Sequence, residues 1–352
     1  MKTPYFIMNR EKLEKNLKKI KRIEEESNVK IFHTIKSFNQ ENVLKIIAST
    51  LSGMSVGSAN ELNMAKEAQS QATHLYAPAY SKESLEELID KVDTLSFNSL
   101  TQWRTFHNLH NKPSMGLRIN PRLHLPIPDY CNPNLDYSRL GVEYLEFIET
   151  FKNKTIDFYN LEGLHFHSLF QSSEVGTQLL LDHIETYYQA VLPQLRWINL
   201  GGGHHFSSDN FNVNNFIQRV KSFQNAYPNI QLYFEPGESI VKNTGSFIVT
   251  ILDIIQIAGV NIVIVDTSTE THLLDVAIVN QRLTINGTQR ESTPYFYEIS
   301  GNSCLQGDLI GEYFFQKPLK IGETITFEDM MGYSMVKMTE FNGMSKANFY
   351  LS

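Results

Sequence analysis

The sequence predicts an α/β protein, a (β/α)8 TIM barrel followed by a C-terminal all-β domain of the β-barrel or sandwich kind. Between residues 30 and 240, short apolar or β-branched runs alternate with amphipathic stretches of helical spacing, which is the pattern of parallel βα units. Eight such units close into a barrel more naturally than they form an open sheet. After residue 240 the strand-like runs follow one another with only turn residues between them. The expected division is a barrel over residues 10–240 and a β domain over 241–352 that also takes in residues 1–9.

The eight expected barrel strands cover residues 30–35, 51–56, 74–77, 94–97, 114–119, 161–166, 197–200 and 231–234. The helices between them are expected at 39–48, 59–68, 82–92, 102–109, 143–151, 176–192 and 213–226. Polar residues gather where the strands end. Lys36 follows the first strand, Ser55 and Ser58 lie at the end of the second, and Asn98 follows the fourth. Arg118 and Asn120 end the fifth, His165 and His167 the sixth, Gly201, Gly202 and Gly203 follow the seventh, and Glu235-Pro236-Gly237-Glu238 the eighth. Active sites of such barrels are built from the C-terminal strand ends. In the second domain, strands are expected at 247–255, 261–265, 282–285, 295–299, 319–321 with 324–327, and 348–351, without intervening helices.

Composition removes several function classes. The net charge is −7 and basic residues form no long run, which disfavours a nucleic-acid binder. Two cysteines, Cys131 and Cys304, are too few for a disulfide framework or a cysteine-rich zinc site. The apolar stretch 247–265 is broken by Asp253, Gln256, Gly259 and Asn261 and reads as two strands, not a membrane span. The first residues contain no apolar signal core, so the expected location is the cytoplasm.

The strand-end residues suggest a chemistry. Lys36 closes an otherwise apolar strand, where its charge is costly unless it is paired or its amine is neutral. It is therefore either a lysine snorkelling to solvent or a Schiff-base lysine with a lowered pKa. Three successive glycines allow close backbone approach, and a nest of N–H groups can hold a phosphate. Barrels often bind phosphate after strands seven and eight. Glu235 can keep a pyridine nitrogen protonated, or it is an ordinary turn acid. His167 can stack on a flat ring. The pair His165-x-His167, joined by His204 or His205, also suggests zinc in an amidohydrolase-type barrel. That class places such a pair after the first strand, whereas here it follows the sixth, so no metal is expected.

Taken in order, Lys36, His167, the Gly-Gly-Gly run, Glu235-Pro236-Gly237, Cys304 in Gly301-Asn302-Ser303-Cys304-Leu305-Gln306-Gly307-Asp308, Tyr333 and Phe341-Asn342-Gly343 resemble the alanine racemase-like (fold type III) pyridoxal-phosphate decarboxylases over nearly the whole chain. Within that family, His165-Phe166-His167, Glu238, residues 266–275 and residues 303–308 are most similar to the carboxynorspermidine/carboxyspermidine decarboxylases, which act in polyamine biosynthesis. Ornithine and diaminopimelate decarboxylases usually carry arginine where Glu238 stands. The chain departs from its resemblance group by ending nine residues after Gly343, which bears on the last β strand.

The resemblance implies a homodimeric carboxy-lyase that uses pyridoxal 5'-phosphate. It assigns Lys36, Cys304, His167 and Glu235 to catalysis. Lys36, Ser58, Arg118, His167, Gly201, Gly202, Gly203, Glu235, Gly237 and Tyr333 are assigned to the cofactor, and Cys304 is expected to reach the partner subunit's site as proton donor. Glu238, Asp275, Glu270 and Asp308 are expected to meet the substrate's cationic amines. The implied rivals are another decarboxylase of the fold, acting on ornithine, arginine or diaminopimelate, and a non-catalytic pyridoxal-phosphate-binding protein. The β domain with Cys304 and Tyr333 disfavours the second rival; Glu238 and residues 266–275 disfavour the first.

Overall fold

The computed structural model describes residues 1–109 and 113–352. Two compact units emerge, residues 16–240 and residues 1–15 together with 241–352. In the first unit, eight parallel strands close on themselves, each paired with the next in chain order and the last paired with the first. They are Lys30–Thr34, Gly53–Val56, Thr73–Tyr76, Thr94–Phe97, Ser114–Asn120, Gly163–His165, Trp197–Asn199 and Gln231–Phe234. This is the expected TIM barrel, and the helices alternate with the strands as the spacing implies.

Local chemistry explains the helix starts. Ser58, Ser81, Ser99 and Asn212 each accept a backbone N–H with the side-chain oxygen at the helix they precede, satisfying a donor that would otherwise be unpaired. Helix Val213–Ala226 buries Phe216, Ile217, Val220 and Phe223, a spacing that lines one face. Inside the barrel, small strand residues make room for large ones. A Cβ at Gly163 would lie 2.0 Å from the Trp197 ring, and one at Gly116 2.5 Å from it. Trp197, Tyr233 and Phe32 pack edge to face in sequence, and His74 meets Trp197 at 5.7 Å between centroids. Apolar rings therefore fill one end of the barrel, and polar side chains begin at the level of His74.

The helix Arg10–Ser27 is absent from the sequence-based expectation, because its many charges obscure an apolar face of Leu13, Leu17, Ile20 and Ile23, all buried. In the second unit the strands are Tyr5–Met8, Gly245–Ile257, Val260–Val265, Thr288–Gln289, Phe296–Ser300, Leu309–Phe315, Thr324–Glu328 and Asn348–Leu351. Four points of that expectation need correction. Residues 282–285 form no strand beyond an isolated bridge from Ile285 to Phe327, and 319–321 form none. The strand Leu309–Phe315 was not anticipated; it pairs antiparallel with Phe296–Ser300 across a register shift. Short helices, Thr269–His272, Leu274–Val279 and Tyr333–Val336, interrupt the strands. The final strand, Asn348–Leu351, forms and pairs in parallel with Tyr5–Met8.

Candidate active site

The polar strand ends of the barrel converge around Glu235. This carboxylate is 4% exposed and begins the turn after strand eight. Asn199, at the end of strand seven, donates Nδ2–H to Glu235 Oε1 at 2.8 Å, and its Oδ1 accepts the Gly201 N–H at 2.8 Å. His74 Nε2 lies 3.9 Å from Oε1 and His165 Nε2 lies 3.7 Å from Oε2. The turn is tied to the lysine-bearing loop, since Thr34 Oγ1 donates to the Glu235 carbonyl at 2.7 Å. Gly237 completes this junction, because a Cβ there would lie 2.2 Å from Ser37 Oγ.

Lys36 sits in the short 3-10 turn Ile35–Ser37 just past strand one. Its side chain is exposed by surface area, yet enough barrel surrounds the amine that loss of hydration lowers its pKa. The Arg118 guanidinium lowers it further, and Glu235 and Glu61 oppose the shift. Arg118 is buried in strand five, with its guanidinium over the Tyr76 ring at 4.7 Å and an N–H directed to the His167 carbonyl at 3.4 Å.

His167 is half-buried, and burial, with the charges of Arg118 and Lys36 adding to it, holds its pKa well below the usual histidine range. It is therefore a neutral, flat imidazole at neutral pH. Its Nδ1 accepts the Gly202 N–H at 3.2 Å. His165 is likewise kept neutral by burial first and by neighbouring positive charge second. Among the described residues neither of its ring nitrogens has a hydrogen-bond partner, although it is 1% exposed.

The glycine loop must be glycine. Gly201 has φ +67° and Gly203 φ +84°, the left-handed region that side chains disfavour. A Cβ on Gly203 would sit 2.0 Å from the Leu169 carbonyl oxygen, and one on Gly202 2.7 Å from that of Glu235. The loop is thus pressed against both His167 and Glu235.

The structure therefore brings Lys36, Arg118, His167, Gly201, Gly202, Glu235 and Gly237 into one network at the barrel mouth. Ser58 is exposed, and its hydroxyl caps helix Ala59–Glu67 by accepting the Glu61 N–H at 3.3 Å. The sequence reading passed over Asn199, His74, Tyr76 and Glu61; a polar Asn199 in an apolar strand was the available signal. His165, His167 and Glu235 place one ligand atom each within 4.8 Å of one another, but the Arg118 guanidinium acting on both histidines disfavours a metal ion there. An amine of lowered pKa, a neutral imidazole, a carboxylate and a glycine cradle fit pyridoxal phosphate.

In the second unit, Cys304 is exposed and free, and Tyr333 is half-buried with Lys337 over its ring at 5.1 Å. Asp275 accepts the Ser334 hydroxyl at 2.7 Å, and Glu270 is half-buried on helix Thr269–His272. Asp308 requires a correction. Expected to meet substrate amines, it is 2% exposed and already accepts four hydrogen bonds: Oδ1 from Thr269 N (2.8 Å) and Oγ1 (2.9 Å), Oδ2 from Ser303 N (3.0 Å) and Oγ (2.6 Å). Its carboxyl pKa stays low because these bonds outweigh burial. Its lone pairs are used to tie the Cys304 loop to the Glu270 helix.

Comparison with known proteins agrees with this geometry. Residues 10–242 match the family model for the pyridoxal-binding domain of pyridoxal-dependent decarboxylases. The chain is 33% identical to the carboxynorspermidine/carboxyspermidine decarboxylase of Campylobacter jejuni, over 100% of this chain and 93% of that protein. It is 31% identical to the carboxyaminopropylagmatine decarboxylase of Synechocystis, over 97% and 88%. A crystal structure of carboxynorspermidine decarboxylase from Campylobacter jejuni, complexed with norspermidine, superposes with a TM-score of 0.89 at 32% identity, covering 100% of this chain and 94% of that one. On the site's donor set and these matches, the chain belongs to the pyridoxal-dependent decarboxylase family and is a carboxy-lyase that uses pyridoxal phosphate.

Proposed function

We propose that this enzyme decarboxylates carboxynorspermidine or carboxyspermidine, forming the corresponding triamine in polyamine biosynthesis. The observation that carries the reading is Glu238. It stands immediately after Glu235-Pro236-Gly237 at the barrel mouth, half-buried and hydrogen-bonded to Gln171. A carboxylate there favours a cationic amine, where an arginine would favour a second carboxylate. The relatives named for carboxynorspermidine and carboxyspermidine support the same substrate class.

Pyridoxal phosphate, when bound, supplies the electron sink for the pair left on the α-carbon as carbon dioxide departs. In this reading Lys36 holds the cofactor through its amine, whose lowered pKa increases the neutral, nucleophilic fraction. Glu235 holds a proton at the ring nitrogen. Neutral His167 would cover the ring face, and Arg118 would lie near the ring. The Gly201, Gly202 and Gly203 loop, Gly237 and Tyr333 hold the phosphate, with Ser58 on the adjoining helix cap. Cys304, contributed by the partner subunit of a homodimer, returns a proton to the α-carbon. Glu238, Asp275 and Glu270 meet the remote ammonium groups.

The relative that acts on carboxyaminopropylagmatine supports a second reading with a guanidinium at the far end of the substrate; a carboxylate accepts it equally well. A cytoplasmic location suits either. The deciding experiment is turnover of carboxynorspermidine, carboxyspermidine, carboxyaminopropylagmatine, ornithine and meso-diaminopimelate with product identification. Preference for ornithine or diaminopimelate would reject the proposal. One methylene is worth only about 1–3 kcal/mol in a pocket, so the two triamines are expected to differ modestly.

A further inference from the structure

We propose that Asn199 is a positioning residue that couples the acid end of the site to the glycine loop, so that one buried amide fixes both. This rests on the reading of the barrel mouth as a pyridoxal-phosphate site. Asn199 is 1% exposed at the end of strand seven. Its amide is used at both ends, donating to Glu235 Oε1 and accepting from the Gly201 N–H, each at 2.8 Å. The Glu235 N–H in turn donates to the Gly201 carbonyl at 2.8 Å. Residue 199, the loop and the acid thus form a closed ring of hydrogen bonds between strands seven and eight.

The neighbouring histidines do not replace this contact. His74 Nδ1 is paired with Thr94 Oγ1 at 2.7 Å and its Nε2 with Ser96 Oγ at 3.1 Å, leaving it 3.9 Å from the carboxylate. His165 stands 3.7 Å away, beyond hydrogen-bond distance. Burial lowers the pKa of both histidines, so near neutral pH they offer Glu235 no counter-charge. Among the described residues, the hydrogen bond to the Glu235 carboxylate comes from Asn199 alone.

The two halves of the amide can be separated by substitution. Asn199→Leu removes both bonds at similar volume. Asn199→Asp keeps the acceptor for Gly201 but sets a second carboxylate against Glu235, and two such groups cannot both stay ionised. Equilibrium dialysis with pyridoxal phosphate and with phosphate-free pyridoxal, together with absorption spectra of the bound cofactor, reads the two ends independently of turnover. For Asn199→Leu we expect roughly a tenfold or greater loss of pyridoxal-phosphate affinity. For Asn199→Asp we expect an altered cofactor spectrum and pH titration, while the affinity ratio of pyridoxal phosphate to pyridoxal stays within about twofold of wild type. Circular dichroism confirms that each variant is folded, and Asn199→Gln serves as a milder second variant should the leucine fail to fold. Wild-type affinity and spectrum in folded variants would overturn the coupling. If the wild-type protein itself bound no pyridoxal phosphate, the underlying reading would fall first.

Discussion

Gln171 Nε2 lies 3.2 Å from Glu238 Oε1 and 3.4 Å from Oε2, so an amide that follows strand six meets a carboxylate that follows strand eight. Gln171 itself has φ +41°, a conformation uncommon for a residue with a side chain. The contact restrains Glu238 at the barrel mouth. Glu238→Gln is expected to raise KM for the triamine roughly tenfold or more with little change in cofactor affinity, since a charge-assisted bond contributes about 1.5–3 kcal/mol. Asp275→Asn is expected to act in the same direction. If both variants kept wild-type kinetics, the amine-binding role would pass to Glu270.

Borohydride reduction of the cofactor-loaded enzyme, followed by peptide mapping, is expected to place the label on Lys36. A label on another lysine, or none after reconstitution, would remove the mechanism.

The pH dependence of cofactor attachment follows from the charges around that amine. Only the neutral amine attacks a carbonyl, and burial and Arg118 lower the Lys36 pKa while Glu235 and Glu61 raise it. Removing a group that lowers the pKa must raise it. Arg118→Met is therefore expected to shift the pH profile of attachment in the apoenzyme to higher pH, and Glu61→Gln to shift it to lower pH. Stopped-flow absorbance of the apoenzyme mixed with pyridoxal phosphate measures this. Shifts of the opposite sign would show that these charges do not govern the amine.

Asp308 is expected to matter through the Cys304 loop. Asp308→Asn weakens the bonds to Ser303 and Thr269 and should increase the alkylation rate of Cys304 by iodoacetamide several-fold, about what loosening a loop by 1 kcal/mol gives. An unchanged rate in a folded variant would show that the loop holds its shape without the carboxylate.

A shared site predicts complementation. Lys36→Ala and Cys304→Ala homodimers should each be nearly inactive. After random subunit exchange about half the dimers are hybrids, each with one intact site, so roughly a quarter of wild-type activity should return. No recovery, with exchange verified separately, would place both residues of a site in one chain.

The barrel was legible in the sequence because its signals are local. Strands such as Thr94–Phe97 and Gln231–Phe234 follow from short apolar runs between helices, and the polar residues that follow them mark the C-terminal face. The same locality explains the failures. Helix Arg10–Ser27 hid its apolar stripe among charges, and strand Leu309–Phe315 was recognisable only once its partner Phe296–Ser300 was in place. Asp308 read as one acid among several until folding surrounded it with Thr269 and Ser303. Asn199 and Glu235 are 36 residues apart, and periodicity carries no information about a hydrogen bond across that distance. Residue types and their order are written in the chain. Which oxygen meets which N–H, and which amine loses its water, is decided when barrel closure brings the strand ends together.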